Sequence, residues 1–138
     1  MFDVLDKYKN NDHFFFQKGD KLRTVSKGVP NEPGIYLVYK LANGRIELVY
    51  IGKTEVEGEK GQLLTDGLKD SINDYHDGVK REAFFNQKIK NEAIDAFDIY
   101  WYATFDKKNQ DLPTYVQGLI LQFHYELHGQ LPQWNKLI

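Results

Sequence analysis

The chain has 138 residues, of which 41% are hydrophobic and 28% charged, a composition typical of one folded domain with a real apolar core. It contains no cysteine, which excludes disulfide bonds, thiolate nucleophiles, iron–sulfur clusters and zinc sites that need sulfur. Eighteen Lys and Arg residues stand against twenty Asp and Glu residues, and the net charge of −2 argues against tight nonspecific nucleic-acid binding without excluding a local basic patch.

Hydropathy along the chain gives no sign of a membrane segment. No apolar run approaches the ~18 residues that a transmembrane helix needs, and the opening residues lack the layout of a signal peptide. We therefore expect no membrane partner and a cytoplasmic location, although missing cysteine does not by itself establish a reducing compartment.

Residues 1–29 are expected to form an N-terminal leader, and residues 30–138 the main domain. The leader contains three consecutive phenylalanines, Phe14, Phe15 and Phe16. Because three such side chains would be costly to leave in water, we expect the leader to pack on the domain.

The domain opens with two predicted strands joined by a tight turn. Residues 34–40 and residues 46–51 are rich in β-branched and aromatic side chains, as strands are. Between them, Asn43-Gly44 is among the strongest hairpin signals that a sequence can carry.

Two registers are open to this hairpin, depending on the length of its loop. A two-residue loop would pair Tyr36 with Ile51 and would place Tyr36 and Tyr50 on opposite faces of the sheet. A three-residue loop, with Gly44 left-handed as part of a bulge, would set Tyr36 directly across from Tyr50. The sequence allows either register.

The rest of the chain predicts three helices and one more strand, from apolar spacing and from the positions of Pro and Gly. In chain order these are a helix carrying Leu64, Leu68 and Ile72, a helix over residues 82–91 after a loop near Asp77-Gly78, a strand over residues 97–104, and a helix between Pro113 and Gly129. The order strand, strand, helix, helix, strand, helix predicts an α+β domain with a small three-stranded antiparallel sheet flanked by helices.

Two tripeptides on the predicted hairpin carry a family resemblance. Gly34-Ile35-Tyr36 follows Pro33 on the first strand, and Tyr50-Ile51-Gly52 precedes Lys53 on the second. Both are complete, and the chain resembles the GIY-YIG nuclease superfamily, whose members cut DNA in excision repair, restriction and intron homing. The resemblance extends over about residues 29–135 and implies a GIY-YIG endonuclease-like fold.

The resemblance also implies a metal-dependent endonuclease site. The motif tyrosines of the family fall on Tyr36 and Tyr50, and in family mechanisms a tyrosine near a bound divalent ion helps to deprotonate the attacking water. A free phenol has a pKa near ~10, so it needs a cation close by before it can act as a base at neutral pH. The terminal asparagine of the family falls on Asn135, which could equally cap a C-terminal turn.

Two positions depart from the family pattern. Ser71, three residues after Leu68, stands where the family has an arginine that would supply positive charge to the phosphate. Gln117 stands where a glutamate would bind the metal, and a neutral amide should hold Mg²⁺ less well than a carboxylate does. The basic side chains that remain as candidates for nucleic-acid contacts are those of Lys53, Lys69 and Arg81.

These residues predict a stand-alone domain of nuclease descent whose DNA hydrolysis is impaired, with Mg²⁺ or Mn²⁺ as cofactor if it is active and none otherwise. The alternative is a noncatalytic module on the same fold that binds nucleic acid or a protein partner. A third interpretation, that Gln117 replaces a native glutamate in a working nuclease, would not explain Ser71.

Two further features are better explained by structure than by chemistry. His124 and His128 lie four residues apart on a predicted helix and could hold a transition metal, but two solvated histidines are the better interpretation. The aromatic residues 100–102 could stack nucleic-acid bases, but such residues in a central strand are more typical of a core.

Overall fold

The computed structural model describes residues 2–59, 62–65 and 67–136. Its strands are β1 (Asn11–Phe16), β2 (Gly34–Ala42), β3 (Arg45–Lys53), β4 (Val56–Glu59), β5 (Gln62–Thr65), β6 (Tyr75–His76), β7 (Val79–Lys80) and β8 (Ala96–Ala103). Its helices are α1 (Leu22–Val25), α2 (Leu68–Ile72), α3 (Arg81–Glu92) and α4 (Pro113–His128), and a 3₁₀ turn spans Asp3–Lys7. The main sheet is antiparallel in the order β1-β8-β2-β3, and the pairs β4–β5 and β6–β7 form two separate hairpins.

The α+β class is confirmed, but the expectation of three strands in the sheet is wrong, because the leader supplies a fourth strand. β1 pairs with β8 in an antiparallel register that sets Phe16 across from Phe97. Phe16 is fully buried. The polar residues Asn11, Asp12 and His13 begin this edge strand, so the sequence lacks the apolar alternation that identifies a strand.

The β2–β3 hairpin has neither of the two expected registers between its tyrosines. Its loop is the two-residue one, with positive φ at both Asn43 (54°) and Gly44 (71°). A β-bulge then leaves Val49 without a partner of its own, so that Tyr36 lies across from Gly52 and Tyr50 across from Val38. The extra residue in β3 shifts the pairing by one position. Tyr36 and Tyr50 therefore point to the same face of the sheet.

The helix expected to carry Leu64 is much shorter than its apolar spacing suggests. Leu64 belongs to β5, and α2 begins only at Leu68. The later elements α3, β8 and α4 lie within two residues of their expected bounds. α4 has Pro113 in its first turn, and the left-handed Gly129 ends it. Within the described residues, no helix combines the length and the apolarity that crossing a bilayer demands.

The sheet separates two apolar cores. One face packs against α2 and α3, and its largest cluster includes Tyr36, Val38, Phe97, Phe85 and Trp134. The other face packs against α4 and the 3₁₀ turn, and its cluster includes Ile35, Leu37, Ile51, Val116 and Ile120. The first motif tripeptide therefore lies on the interior strand β2 and the second on the edge strand β3, and helices pack on both faces of this sheet.

Candidate functional site

The two motif tyrosines form a close pair on the α3 side of the sheet. Their ring centroids lie 6.0 Å apart at an angle of 56°. Tyr36 is almost completely buried, at 2% exposure, whereas Tyr50 is half-buried at the outer strand. Of the two phenols, Tyr50 is therefore the one that solvent or a ligand can reach more easily.

The glycines of both tripeptides are required by close packing. A Cβ added to Gly52 would lie 2.6 Å from the Tyr36 hydroxyl oxygen and closer still to the ring carbons. A Cβ added to Gly34 would overlap the carbonyl oxygen of Tyr102 on the neighbouring strand. Each glycine thus allows a neighbouring group to come closer to the backbone than a larger residue would permit. The two motif glycines therefore have a structural role that does not depend on catalysis.

Arg81 brings a positive charge to the tyrosine pair. The carbon of its guanidinium group lies 5.1 Å from the ring centroid of Tyr36 and 5.7 Å from that of Tyr50. One of its terminal nitrogens donates to the carbonyl oxygens of Ser71 (2.7 Å) and Ile72 (3.0 Å) at the end of α2. Arg81 is only 4% exposed. Its charge is therefore held inside the protein by helix-end carbonyls and aromatic faces.

Two of the remaining candidates, Ser71 and Lys53, meet at the end of β3, and the third, Lys69, lies on α2. The hydroxyl group of Ser71 donates to the carbonyl oxygen of Lys53 at 3.2 Å. The Lys53 ammonium group lies 3.2 Å from the carboxylate of Glu55, and Lys69 is half-buried on α2. Ser71 therefore lies beside the end of the second motif, and its hydroxyl group is engaged by the backbone.

Gln117 and Asn135 both bind the backbone of Ile51, on the open edge of β3. The Gln117 side-chain nitrogen donates to the Ile51 carbonyl oxygen at 3.0 Å. The Asn135 amide accepts from the Ile51 N–H and donates to the Ile51 carbonyl oxygen, both at 2.9 Å. The backbone N–H of Trp134 donates to the Val49 carbonyl oxygen at 2.8 Å. Together these bonds satisfy the strand edge next to the bulge, where no further strand of the described residues pairs with β3.

The residues present do not fit a Mg²⁺ or Mn²⁺ ion. Such ions are held by one or two carboxylates, whereas Gln117 is neutral and presents its N–H to the strand. Both amide atoms of Asn135 are engaged by Ile51, and the nearby carboxylate of Asp77 pairs with Lys136 at 3.1 Å. Among the residues whose side chains are described, no three His, Asp or Glu residues come together as a metal site.

A pocket of about 310 Å³ opens beside Tyr50 and Gln117. Its lining residues are Tyr50, Tyr75, His76, Asp77, Gln117, Trp134, Asn135 and Lys136. Tyr36 is not among them, so within the described part of the chain only one motif tyrosine reaches the pocket wall.

His76 is a pocket residue that sequence reasoning missed. Its ring stacks on Phe84 at 4.1 Å and meets the edges of Tyr50 and Trp134 at 4.7 and 5.6 Å. Burial, and then the neighbouring charge of Arg81, lowers the pKa of His76 to about 4. The imidazole is thus neutral at pH 7. The sequence does mark the turn at Asp77-Gly78, and this turn fixes the direction in which the side chain of His76 points. That turn could have identified His76 as a candidate.

Tyr50 is poorly suited to act as a base in this environment. Burial, with a smaller contribution from Tyr36, raises the pKa of Tyr50 to about 12, although Arg81 opposes the shift. The hydroxyl group therefore stays protonated at pH 7 and can donate a hydrogen bond. The positive charge that the site does contain is not enough to produce a phenolate.

The sequence suggested that both histidines of α4 are solvated. This expectation is wrong, because one of them is buried. His124 is buried, and one of its ring nitrogens lies 2.8 Å from the Gln130 carbonyl oxygen, to which it donates. His128 is exposed, with its ring centroid 4.4 Å from that of His124. On the aromatic strand β8, Trp101 is buried in the α3-side core, in agreement with the core interpretation.

Comparisons of the chain with protein-family models, with curated proteins and with solved structures find no match. The two tripeptides and the residues around them therefore carry the resemblance on their own. What the chain does has to be inferred from the chemistry of the site described above.

Proposed function

We propose that this chain is a GIY-YIG-like domain of nuclease descent in which phosphodiester hydrolysis is absent or severely reduced. The observation that carries the proposal is the hydrogen bond from the Gln117 side-chain nitrogen to the Ile51 carbonyl oxygen. It makes residue 117 a donor to the strand, where a metal-dependent nuclease needs a carboxylate that accepts a cation. The adjacent tyrosine pair supports descent from the family rather than chance similarity of two tripeptides.

Each contribution that hydrolysis requires is weakened in this site. The candidate base, Tyr50, has its pKa raised to about 12 and stays protonated at pH 7. The candidate for stabilising charge on the phosphate, Arg81, is buried and donates to backbone carbonyls. The position of the metal ligand holds a neutral amide. Since these contributions act together at a single transition state, losing them should cost several orders of magnitude in rate.

A cleavage assay with Mg²⁺ or Mn²⁺ on plasmid and branched DNA tests the proposal. We expect no metal-dependent nicking above that of the Tyr36→Phe variant, which serves as the matched control because it removes only a hydroxyl group. The double variant Gln117→Glu with Ser71→Arg should gain activity, because it restores both missing groups. Robust nicking by the native chain that Tyr36→Phe abolishes would contradict the proposal.

A second candidate, a noncatalytic binding module, is favoured by the composition of the pocket rim. Tyr75 is 58% exposed, and the ammonium group of Lys80 lies 4.7 Å from its ring centroid. An exposed aromatic ring next to a cation suits a stacked base and its phosphate. Binding of single-stranded DNA that needs no divalent metal, falls steeply with salt and is weakened by Tyr75→Ala would support this function. Binding to a protein without such salt dependence would favour a protein partner instead.

A further inference from the structure

The last turn of α4 carries two histidines on the same side of the helix. His124 and His128 are four residues apart, and side chains at this spacing are neighbours on a helix surface. Their ring centroids lie 4.4 Å apart, with an angle of 40° between the ring planes. In metalloproteases the same spacing lets two imidazoles on one helix bind one metal ion. The two rings are therefore close enough to share an ion.

The separation of the rings agrees with the length of metal–imidazole bonds. Such a bond is ~2.0–2.1 Å long, which puts the ion roughly 3.2 Å from the ring centroid. Two centroids 4.4 Å apart then subtend an angle of roughly 90° at the ion, as neighbouring ligands do in square-planar and tetragonal sites. Because His128 is exposed, its ring can turn one nitrogen toward the ion without disturbing the core.

His124 is held in the orientation and tautomer that a metal ligand needs. It is only 8% exposed, and its Nδ1 lies 2.8 Å from the Gln130 carbonyl oxygen. Since a carbonyl oxygen only accepts hydrogen bonds, Nδ1 carries the proton, and in the neutral ring the lone pair belongs to Nε2. Metal-binding histidines donate their second ring nitrogen to a carbonyl or carboxylate group in the same way. The fold therefore orients one of the two ligands in advance.

The charges around the pair favour a cation. Both histidines line a pocket of about 550 Å³ whose described lining residues include no Lys or Arg. The charged lining residue is Glu47, whose carboxylate lies 3.5 Å from the ammonium group of Lys40. The pair also lies in the last turn before Gly129, where the unpaired carbonyl groups of a helix give its end a partial negative charge. A positive ion is thus stabilised by the helix end and meets no repelling side chain on the described pocket wall.

We propose that His124 and His128 together bind one late first-row transition-metal ion, with Cu²⁺ preferred over Ni²⁺ and Zn²⁺. Imidazole nitrogens suit these ions, and the affinity of a given site is highest for Cu²⁺. Among the described side chains no third His, Asp or Glu joins the pair, so water completes the coordination. Mg²⁺ prefers oxygen ligands and does not fit these two rings. The site is separate from the pocket beside Tyr50 and Gln117, because the two pockets share no lining residue.

Titrations of the full chain with Cu²⁺, Ni²⁺ and Zn²⁺ test the site, by calorimetry for all three ions and by electron paramagnetic resonance for Cu²⁺. His128→Gln is the designed variant, because residue 128 is exposed and the change removes one ligand while leaving the core intact. His13→Gln is the matched control, because it removes another exposed histidine, on β1, that does not line the pocket. Circular dichroism and thermal unfolding confirm that both variants fold.

The native chain should bind Cu²⁺ through two imidazole nitrogens, and saturating Ni²⁺ should raise its melting temperature, because the two ligands converge only in the folded helix. His128→Gln should weaken Cu²⁺ binding about tenfold or more, lose one nitrogen from the spectrum and abolish the effect of Ni²⁺. His13→Gln should change none of these. A native chain without saturable Cu²⁺ binding, or binding that His128→Gln leaves intact or that His13→Gln weakens equally, would overturn the proposal. None of these results depends on whether the domain hydrolyses or binds nucleic acid.

Discussion

Replacing Gln117 by glutamate should destabilise the protein, although the same change would bring it closer to a working nuclease. The native side chain donates to the Ile51 carbonyl oxygen at 3.0 Å. An ionised carboxylate cannot donate, and it would face that oxygen with a negative charge. Because Asn135 still donates to the same oxygen, the cost is limited to about 2 kcal/mol in the free energy of unfolding at pH 8.

The destabilisation caused by Gln117→Glu should increase as pH rises. Only the protonated form of Gln117→Glu can donate to Ile51, so in the folded state the pKa of the new carboxyl group should be raised above its ordinary value of ~4.3. Below the ordinary value the group is protonated in both states and the penalty is absent. Above the raised value the penalty is complete. The variant should therefore approach native stability near pH ~4 and lose it as pH rises.

The free energy of unfolding can be compared by denaturant unfolding between acidic and mildly alkaline pH. The proteins compared are the native chain and the variants Gln117→Glu, Gln133→Glu and Gln117→Leu. Gln133→Glu is the matched control for charge, because residue 133 is exposed and lies next to the same strand edge. Gln117→Leu removes the donor without adding charge and should cost about 1 kcal/mol, independent of pH. If Gln117→Glu were as stable as Gln133→Glu at pH 8, residue 117 would not act as a donor to the strand, and the reasoning would be refuted.

Three other changes follow from the same site. Gly52→Ala should cost about 3 kcal/mol in thermal unfolding, because its methyl group overlaps the Tyr36 ring; an unchanged melting temperature would contradict that packing. Asn135→Ala should cost about 2 kcal/mol in denaturant unfolding, because it leaves the Ile51 N–H unpaired, and it should speed hydrogen exchange at that amide. His76 is held neutral, with a pKa of about 4 against ~6.5 when unfolded, so folding stability should fall by up to about 3 kcal/mol as pH drops from 6.5 to 4. A His76→Phe variant measured in parallel should lack that part of the acid sensitivity.

The elements with regular apolar spacing could be predicted from the sequence. α3 and α4 each bury one continuous face against the sheet, and β8 is an interior strand of that sheet, buried along most of its length. The edge strand β1 could not be predicted, because it begins with Asn11-Asp12-His13 and buries little. Its position depends on pairing with β8, a contact more than 80 residues away in sequence, and local propensity carries no information about such a contact.

The geometry around the candidate site residues could not be predicted from the sequence. The shared face of Tyr36 and Tyr50 depends on a bulge at Val49, and no residue type marks that position. The place of Arg81 over both rings depends on the carbonyl groups at the end of α2. The two hydrogen bonds between the Asn135 side chain and the Ile51 backbone form only because the C-terminal segment returns to the edge of β3. These are tertiary contacts, and only the folded chain defines them.

The central claim is that the amide of Gln117 serves the strand and not a metal ion. The most direct test is a Mn²⁺ titration followed by NMR, which reports on the Gln117 side-chain amide and on the backbone amide of Ile51. We expect the Gln117 side-chain protons to exchange slowly with water and to keep their line widths into the millimolar range of Mn²⁺. Selective broadening of these signals at micromolar Mn²⁺ would show that the site holds a metal, and would contradict the claim.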